Sequence, residues 1–269
     1  MRDEPPVLEF EGATLGYGTR TLWSQLDLTV RRGEFLAVLG ANGSGKTSLL
    51  RTVLGLQPLT AGSLFVGGRP VHRGDPAIGY IPQQRRFDPL TPLRARDLVR
   101  QGLDGHRWGC ARPGRVDWGR IVGALDDVDA VHLADVPVGL LSGGEQQRAR
   151  VAQALVAHRD LLLCDEPLLS LDLAGQATVT ERIDRARREH GTAVVFVTHE
   201  INPVLDHVDR VLYLAGGRFR IGAVDEVLDS AILSDLYGAP VEVLRVRDRI
   251  LVVGAPEHAH HTHDDEVHP

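Results

Sequence analysis

Two glycine-rich turns in this sequence have the composition of anion sites built from backbone N–H groups. The first, residues 40–47, reads GANGSGKT, and the second, residues 141–148, reads LSGGEQQR. Each turn precedes a helix-like stretch, so its N–H groups and the positive end of the helix dipole would face the same anion. Only the first turn carries a lysine. The two patterns therefore predict one complete phosphate site and one half-site.

The first turn follows the phosphate-loop pattern G-x-x-x-x-G-K-T. Its glycines let backbone N–H groups close around phosphate oxygens, Lys46 adds positive charge near the β- and γ-phosphates, and the Thr47 hydroxyl suits Mg²⁺. A chance turn is the alternative in a chain with 29 glycines, but a hydrophobic strand before the loop and a helix after it argue against chance. The predicted nucleotide ligands are Gly40, Asn42, Gly43, Ser44, Gly45, Lys46, Thr47 and Ser48.

Three ionisable residues close two apolar runs further along the chain. In LLLCDEP, Asp165 would hold Mg²⁺ through its water shell, and Glu166 would polarise an attacking water as a general base. His199 closes the run VVFVTH, at the sheet edge where ligands of open α/β folds bind, and is a candidate γ-phosphate sensor. Strand ends that simply meet solvent are the alternative, and the phosphate loop argues against it.

In the second turn, Ser142 and Glu145 form a capping box, with serine at the cap and glutamate three residues on. A well-capped structural helix would explain these two residues. A cap does not need two glycines, however, and Gly143 and Gly144 would expose N–H groups that a phosphate can approach. The pattern thus favours a binding function for this turn.

The elements around these residues predict an α/β fold. Short strands are expected over residues 7–39, a helix in TSLLRTVLGL up to Gln57-Pro58, and a helical stretch over about residues 85–158 in which Thr91 caps one helix. The runs DLLLCDE and TAVVFVTH are typical of parallel strands covered on both faces, and the amphipathic segment between them ends at Gly191. VEVLRVRDRILVVG indicates a late hairpin.

Composition excludes several classes of function. The net charge of the 269 residues is -6, and no basic cluster is interleaved with aromatic residues, so nucleic acid is not expected as a partner. Cys110 and Cys164 fit no metal or redox spacing. The N-terminus lacks a signal-peptide pattern, and the apolar runs are far shorter than the roughly 20 residues that span a bilayer. We expect a soluble chain that could serve a membrane only by docking.

The order of these motifs resembles that of the ABC-type ATPases. LSGGEQQR shortly before LLLCDEP resembles the family signature and its Walker B strand, and the resemblance runs from about Val7 to Leu236. The other matching motifs are Tyr17 in LGYG (adenine-stacking loop), Gln83 in YIPQ (Q-loop), Ser170-Leu171-Asp172 (D-loop) and His199 (switch histidine). The departures are Cys164, where an aliphatic residue is usual, and the doublet Gln83-Gln84.

The resemblance implies a P-loop NTPase with a RecA-like, mostly parallel core sheet, an N-terminal antiparallel β subdomain and an inserted helical subdomain. It implies an ATP-binding domain over residues 1–240, with the helical subdomain at about 85–158. The residues that follow predict a hairpin extension at 241–254 and, because the last ones have no apolar period, a disordered His-rich tail at 255–269. The resemblance also implies ATP and Mg²⁺ as cofactors, with Lys46, Gln83, Glu166 and His199 catalytic and Thr47, Gln83 and Asp165 on the Mg²⁺. In a homodimer, Ser142, Gly143, Gly144, Glu145 and Asp172 would bind the ATP of the partner subunit.

The sequence has one ATPase unit and no expected membrane-spanning segment. The resemblance therefore implies a separate subunit that docks on transmembrane permease subunits at the cytoplasmic face of the membrane. Part of residues 85–140 would form the groove for the permease. Soluble ABC ATPases of translation or DNA repair are the rival class, but they usually carry two ATPase units or a long coiled-coil insertion. Neither feature is present.

The stretch after His199 resembles the ATPases of zinc/manganese-type importers, in which NPVL, VDRVLYL and LYG.PVEV recur. Such importers imply an extracellular metal-binding protein as an indirect partner. Siderophore or haem importers are the alternative. The tail places His258, His260, His261 and His263 among carboxylates, which suits borderline ions such as Zn²⁺. A non-functional polar tail or an expression remnant would also explain it.

Overall fold

The computed structural model describes residues 5–83, 86–104 and 115–254, and it has the predicted α/β composition. The strands are β1 (Leu8–Tyr17), β2 (Arg20–Val30), β3 (Phe35–Gly40), β4 (Ala61–Val66), β5 (Arg69–Pro70), β6 (Ile78–Ile81), β7 (Leu161–Asp165), β8 (Ala193–Val197), β9 (Arg210–Ala215), β10 (Arg218–Gly222), β11 (Glu242–Val246) and β12 (Arg249–Val253). The helices are α1 (Lys46–Val53), α2 (Ala95–Asp104), α3 (Arg115–Asp126), α4 (Gly143–Leu155), α5 (Leu173–His190), α6 (Val224–Val227) and α7 (Ser230–Tyr237). Cys110 and the tail from residue 255 onward lie outside the described residues.

Two larger sheets carry the fold. A six-stranded sheet has the order β10-β9-β3-β8-β7-β6, and every pairing in it is parallel except β10 with β9. A four-stranded antiparallel sheet has the order β2-β1-β4-β5. The predicted fold class, a mostly parallel core sheet with an antiparallel β subdomain and inserted helices, is confirmed.

The buried side chains of β3 show why this strand lies in the middle of the molecule. Leu36 and Val38 belong to the core shared with the antiparallel sheet and α1. Ala37 and Leu39 alternate with them and belong to the core shared with the helices. A strand covered on both faces is expected to read as a continuous apolar run, which is how FLAVLG reads. The first phosphate-loop residue, Gly40, therefore ends a strand that is buried on both faces.

Two helix boundaries differ from those expected. The helix expected to begin at a Thr91 cap begins at Ala95, because Arg94 forms an isolated bridge to Pro137 and the N–H of Ala95 donates to the carbonyl of Val136 at 3.1 Å. The helix expected to continue to Leu56 ends at Val53. There, Gly55 adopts a φ of +65°, which stops the helical path. The helix that was predicted to end at Gly191 does so, with Gly191 at φ +66°.

The predicted late hairpin is present as β11 and β12, paired antiparallel. Its Ile250 is buried, and the Asn202 side chain bonds both the N–H and the carbonyl of that residue. Over the described residues, no helix combines the length and apolar character needed to cross a membrane.

Candidate nucleotide site

The loop between β3 and α1 has a backbone path that only glycine can follow at two positions. Gly40 has φ +139°, and a Cβ there would lie 2.1 Å from the carbonyl oxygen of Leu214 in the neighbouring strand β9. Gly45 has φ +100°, and its Cβ would meet Trp23 Nε1 at 3.1 Å. The glycines thus allow the loop to turn tightly between β9 and the side chain of Trp23.

The charged and polar groups of this loop fit a bound phosphate chain. The Lys46 ammonium donates to the carbonyl oxygens of Gly40 at 2.6 Å and Ala41 at 3.0 Å. Burial lowers the pKa of Lys46, while the nearby Glu166 and Asp165 charges oppose that shift. Ser44 Oγ is buried without a hydrogen-bond partner among the described residues. A cradle with an unsatisfied hydroxyl and a buried ammonium suits an anion.

The metal candidates meet at the ends of two adjacent elements. Asp165 ends β7 and is 1% exposed, and its Oδ1 accepts a hydrogen bond from Thr47 Oγ1, at the start of α1, at 3.2 Å. Burial raises the pKa of Asp165, and the Thr47 bond partly offsets that rise. A buried carboxylate beside a hydroxyl is a donor set that suits Mg²⁺.

The candidate base lies among the other catalytic candidates. Glu166 has φ +48°, and its Oε2 accepts a hydrogen bond from Gln83 Nε2 at 3.0 Å. His199 Nδ1 lies 3.9 Å from Glu166 Oε1, and the His199 side chain is 59% exposed. Of the glutamine doublet, Gln83 is the member placed on Glu166, and Gln84 lies outside the described residues. The structure therefore brings two of the predicted residues, Gln83 and His199, to the carboxylate of the third, Glu166.

Parallel strand order explains this convergence. The strands β6, β7 and β8 are adjacent in the sheet, and the phosphate loop follows the next strand, β3. Gln83 comes after β6, Asp165 ends β7 with Glu166 directly after it, and His199 comes after β8. The carboxyl ends of parallel strands share one edge, so residues far apart in the sequence become neighbours there. Cys164 is buried in β7, and burial raises the pKa of its thiol well above the usual range, which makes it an inert apolar substitute.

Tyr17 lies at the end of β1 and is 51% exposed. Its hydroxyl is 3.4 Å from Ser48 Oγ on α1 and donates to the side-chain oxygen of Gln57. The ring is therefore held beside the helix that follows the phosphate loop, with half of its surface open to a ligand.

The second turn forms the predicted capping box at the start of α4. Ser142 N–H donates to Glu145 Oε2 at 2.7 Å, and Glu145 N–H donates to Ser142 Oγ at 3.4 Å. Hydrogen bonding of the Glu145 carboxylate to the Ser142 side chain, and then to the Ser142 N–H, lowers the pKa of Glu145. Ser142 itself is exposed. Asp172 caps α5 in a similar way, accepting from Gly175 N–H at 2.8 Å.

The two glutamines of LSGGEQQR have contacts that the sequence did not reveal. Gln146 is buried, donates to the carbonyls of Val138 and Leu141, and accepts from Phe87 N–H at 3.1 Å. Gln147 is fully buried and donates to the carbonyl of Pro167 at 3.0 Å. The signature helix is thus bonded both to the segment after Gln83 and to the residue after Glu166. Polar residues in a helix usually indicate a solvated face, so only their position next to the glycine pair could have singled them out.

The two glycine turns do not meet within one chain. No hydrogen bond or ion pair in the described part of the chain joins residues 142–145 to residues 40–47. Two large apolar side chains near the second turn are open to solvent, Leu140 at 69% and Leu173 at 80% exposure. The second turn therefore lies at the surface and makes no bond to its own phosphate loop among the described residues.

Known proteins share this arrangement. Residues 23–169 match the family model described as ABC transporter. A zinc import ATP-binding protein ZnuC of Pseudomonas fluorescens (strain Pf0-1) is 32% identical over 262 residues, which cover 97% of this chain and 90% of the relative. The ZnuC of Paramagnetospirillum magneticum is 38% identical over 208 residues, covering 77% and 73%.

Solved structures have the same fold. One chain, from a metal-chelate type ABC transporter in an inward-facing conformation, superposes with a TM-score of 0.76 at 29% identity and covers 92% of this chain and 96% of its own. An ATP-binding cassette solved as a dimer with ADP and Pi superposes with a TM-score of 0.70 at 26% identity, covering 81% and 98%.

Proposed function

Since the chain belongs to the ABC transporter family, and is thus an ATP-binding ATPase, we propose that it energises the import of zinc through separate permease subunits. The observation that carries this proposal is the 32% sequence identity with a zinc import ATP-binding protein, in an alignment that covers 97% of the chain. That span includes the region after His199, which the ATPase motifs alone would not require. The likeness to a metal-chelate transporter keeps chelated metal as the second candidate cargo.

The geometry around Glu166 supports hydrolysis by an activated water. Gln83 holds one carboxylate oxygen of Glu166, and His199 lies near the other. In the proposed step, a water oxygen forms a bond to the γ-phosphorus while its proton passes to Glu166, and the bond from that phosphorus to the bridging oxygen breaks. The products are ADP and inorganic phosphate. Lys46 and the loop N–H groups stabilise the charge on the phosphate oxygens.

Thr47, Asp165 and Gln83 are the residues that would hold Mg²⁺. Bound there, Mg²⁺ neutralises charge on the β- and γ-phosphate oxygens. Tyr17 would stack on the adenine, because its ring is half exposed beside the phosphate-loop helix.

A homodimer would complete the half-site at α4. Ser142, Gly143, Gly144 and Glu145 would approach the γ-phosphate held by the partner's phosphate loop, with Asp172 beside them. The exposed Leu140 and Leu173 are apolar side chains that such a partner surface could cover.

Mixed dimers test the shared site. Ser142→Arg should block the approach to the γ-phosphate, and Lys46→Ala should remove the phosphate-loop charge, so each variant alone should be inactive. Mixing the two should restore up to about one quarter of wild-type ATP turnover, since a heterodimer keeps one composite site with both halves intact. If verified mixed dimers hydrolyse no ATP, the shared-site proposal is wrong.

Docking on a permease would place the subunit at the cytoplasmic face of the membrane. An open groove beside the start of α2, lined by Pro92, Leu93, Asp97, Arg100 and Gln101, is the proposed surface. Leu90, 89% exposed, lies next to it and offers an apolar contact. We assign no nucleic-acid partner, and an extracellular metal-binding protein would take part only through the permease.

Metal uptake by cells tests the cargo. A strain that lacks this subunit should accumulate less ⁶⁵Zn²⁺, and the wild-type chain should restore uptake while Glu166→Gln should not. Manganese uptake measured in parallel separates a zinc importer from one that carries both ions. Normal uptake of both ions, with loss of haem or siderophore uptake, would replace the proposal by the alternative cargo.

A further inference from the structure

A histidine and two carboxylates converge between α5 and the 3₁₀ turn Asn202–His207, away from the nucleotide site. One ligand atom from each of Glu181, Asp184 and His207 lies within 4.8 Å of the other two. Asp184 is nearly fully buried, His207 is one-quarter exposed and Glu181 is half exposed. The cluster thus combines a buried ligand, Asp184, with a ligand that is open to solvent, Glu181.

The spacing suits a small divalent ion. His207 Nδ1 lies 3.2 Å from Asp184 Oδ2. Two ligand atoms that share a tetrahedral Zn²⁺ with bonds of about 2.0–2.1 Å are about 3.3 Å apart. A carboxylate and an imidazole at this separation need little movement to share an ion, and Glu181 can reach the same point from the helix surface.

Each carboxylate oxygen of Asp184 is paired with a different arginine, and only one of these arginines would compete with an ion. Arg187 Nε donates to Asp184 Oδ1 at 2.7 Å and is largely buried, so it would orient the carboxylate from behind. Arg188 Nε forms an ion pair with Oδ2 at 2.9 Å, and its terminal nitrogen donates to Glu181 Oε1 at 3.1 Å. Arg188 therefore bridges two of the three candidate ligands. It is 57% exposed and can turn into solvent.

We propose that Glu181, Asp184 and His207 form a site for Zn²⁺ or a similar borderline divalent cation, which binds by displacing Arg188. One imidazole and two carboxylates are ligands that such ions accept. The bound ion would tie α5 to the turn that leads from His199 to β9. The three ligands lie away from the nucleotide site, so absence of Zn²⁺ binding here would leave the transport proposal unaffected.

The test is Zn²⁺ binding by the full-length, nucleotide-free protein, measured by competition with a chromophoric chelator and by the Tm. Because Arg188 competes with the ion, Arg188→Ala should bind the ion about tenfold more tightly than the wild type, as expected when a charge-assisted bond no longer has to be broken. His207→Ala should bind one equivalent fewer and lose most of the Zn²⁺-induced rise in Tm. The sequence predicts that residues 255–269 are disordered, and a disordered segment binds ions equally in folded and unfolded chains, so it adds little to that rise.

His72→Ala is the matched control. His72 Nε2 lies 3.5 Å from Asp75 Oδ2, which is also a histidine–aspartate pair, but no third ligand is grouped with it in the described part of the chain. Its affinity, stoichiometry and Tm response should equal those of the wild type. Unchanged Zn²⁺ affinity in Arg188→Ala would overturn the site, and so would a full Tm response in His207→Ala.

Discussion

Glu166→Gln is the sharpest test of the catalytic assignment, because it removes a base and keeps the shape. The Gln83 bond to Glu166 Oε2, at 3.0 Å, can persist to the amide oxygen of the new side chain. The backbone also keeps its φ of +48°, which the bond from Glu166 N–H to the Val197 carbonyl holds. The substitution should therefore affect proton transfer and leave the architecture intact.

The expected loss follows from the task of the residue. A positioned general base contributes about 10²–10⁴ in rate, so single-turnover hydrolysis should slow by that factor. This corresponds to about 3–5 kcal/mol of lost transition-state stabilisation. Affinity for ATP should change by no more than about threefold, because Lys46 and the loop N–H groups that bind the phosphates are untouched. The variant should accumulate as an ATP-bound dimer.

Phosphate release under single-turnover conditions measures the rate, nucleotide titration measures the affinity, and size-exclusion chromatography with ATP detects the dimer. Glu200→Gln is the matched control. Glu200 is exposed next to His199, and within the described residues its two hydrogen bonds, both with Thr198, involve only its backbone. The control should retain wild-type turnover. A Glu166→Gln protein that turns over within threefold of the wild type would refute the assignment of the base.

Three further predictions concern stability and the tail. Burial raises the pKa of Asp165, so its charge destabilises the nucleotide-free fold. Asp165→Asn should therefore raise the Tm at pH 8, and the difference in Tm between variant and wild type should shrink as the pH falls towards the raised pKa. A lower Tm of the variant at pH 8 would contradict this. Gly40→Ala should lower the urea-measured free energy of unfolding by about 2–3 kcal/mol or more, because its Cβ would meet the Leu214 carbonyl. The control Gly18→Ala, at φ +57° with open space around it, should lose only about 1 kcal/mol. Removing residues 256–269 should leave ATP turnover unchanged and abolish weak Zn²⁺ binding that has no effect on the Tm; slower turnover would give the tail a catalytic role.

The nucleotide site could be predicted from the sequence because its chemistry is local. A glycine-rich turn between a buried strand and a helix specifies its own backbone path, as Gly40 and Gly45 show. Parallel strands then bring the residues at the ends of β6, β7 and β8 to the same edge of the sheet. Their proximity could therefore be predicted once the sheet was expected to be parallel. The capping box at Ser142 is local in the same sense.

Contacts between distant segments could not be read in this way. The start of α2 depends on Pro137, which bridges Arg94 from about forty residues away. The burial of Gln146 and Gln147 depends on Phe87 and Pro167, and polar side chains in a helix give no sign of such partners. From the sequence, Asp184 would likewise be expected on a solvent-exposed helix face, whereas in the structure it is 1% exposed.

The position of β3 has a consequence for synthesis on the ribosome. The antiparallel sheet is complete by residue 70, but β3 pairs only with β8 and β9, which begin at residues 193 and 210. At translation rates of about 5–20 residues per second, roughly 8–30 s separate Gly40 from the first residue that can pair with its strand. During that interval the phosphate loop has no sheet to hold its shape. The nascent chain therefore acquires its nucleotide site late, and a ribosome stall before residue 193 would leave an apolar strand exposed to chaperones.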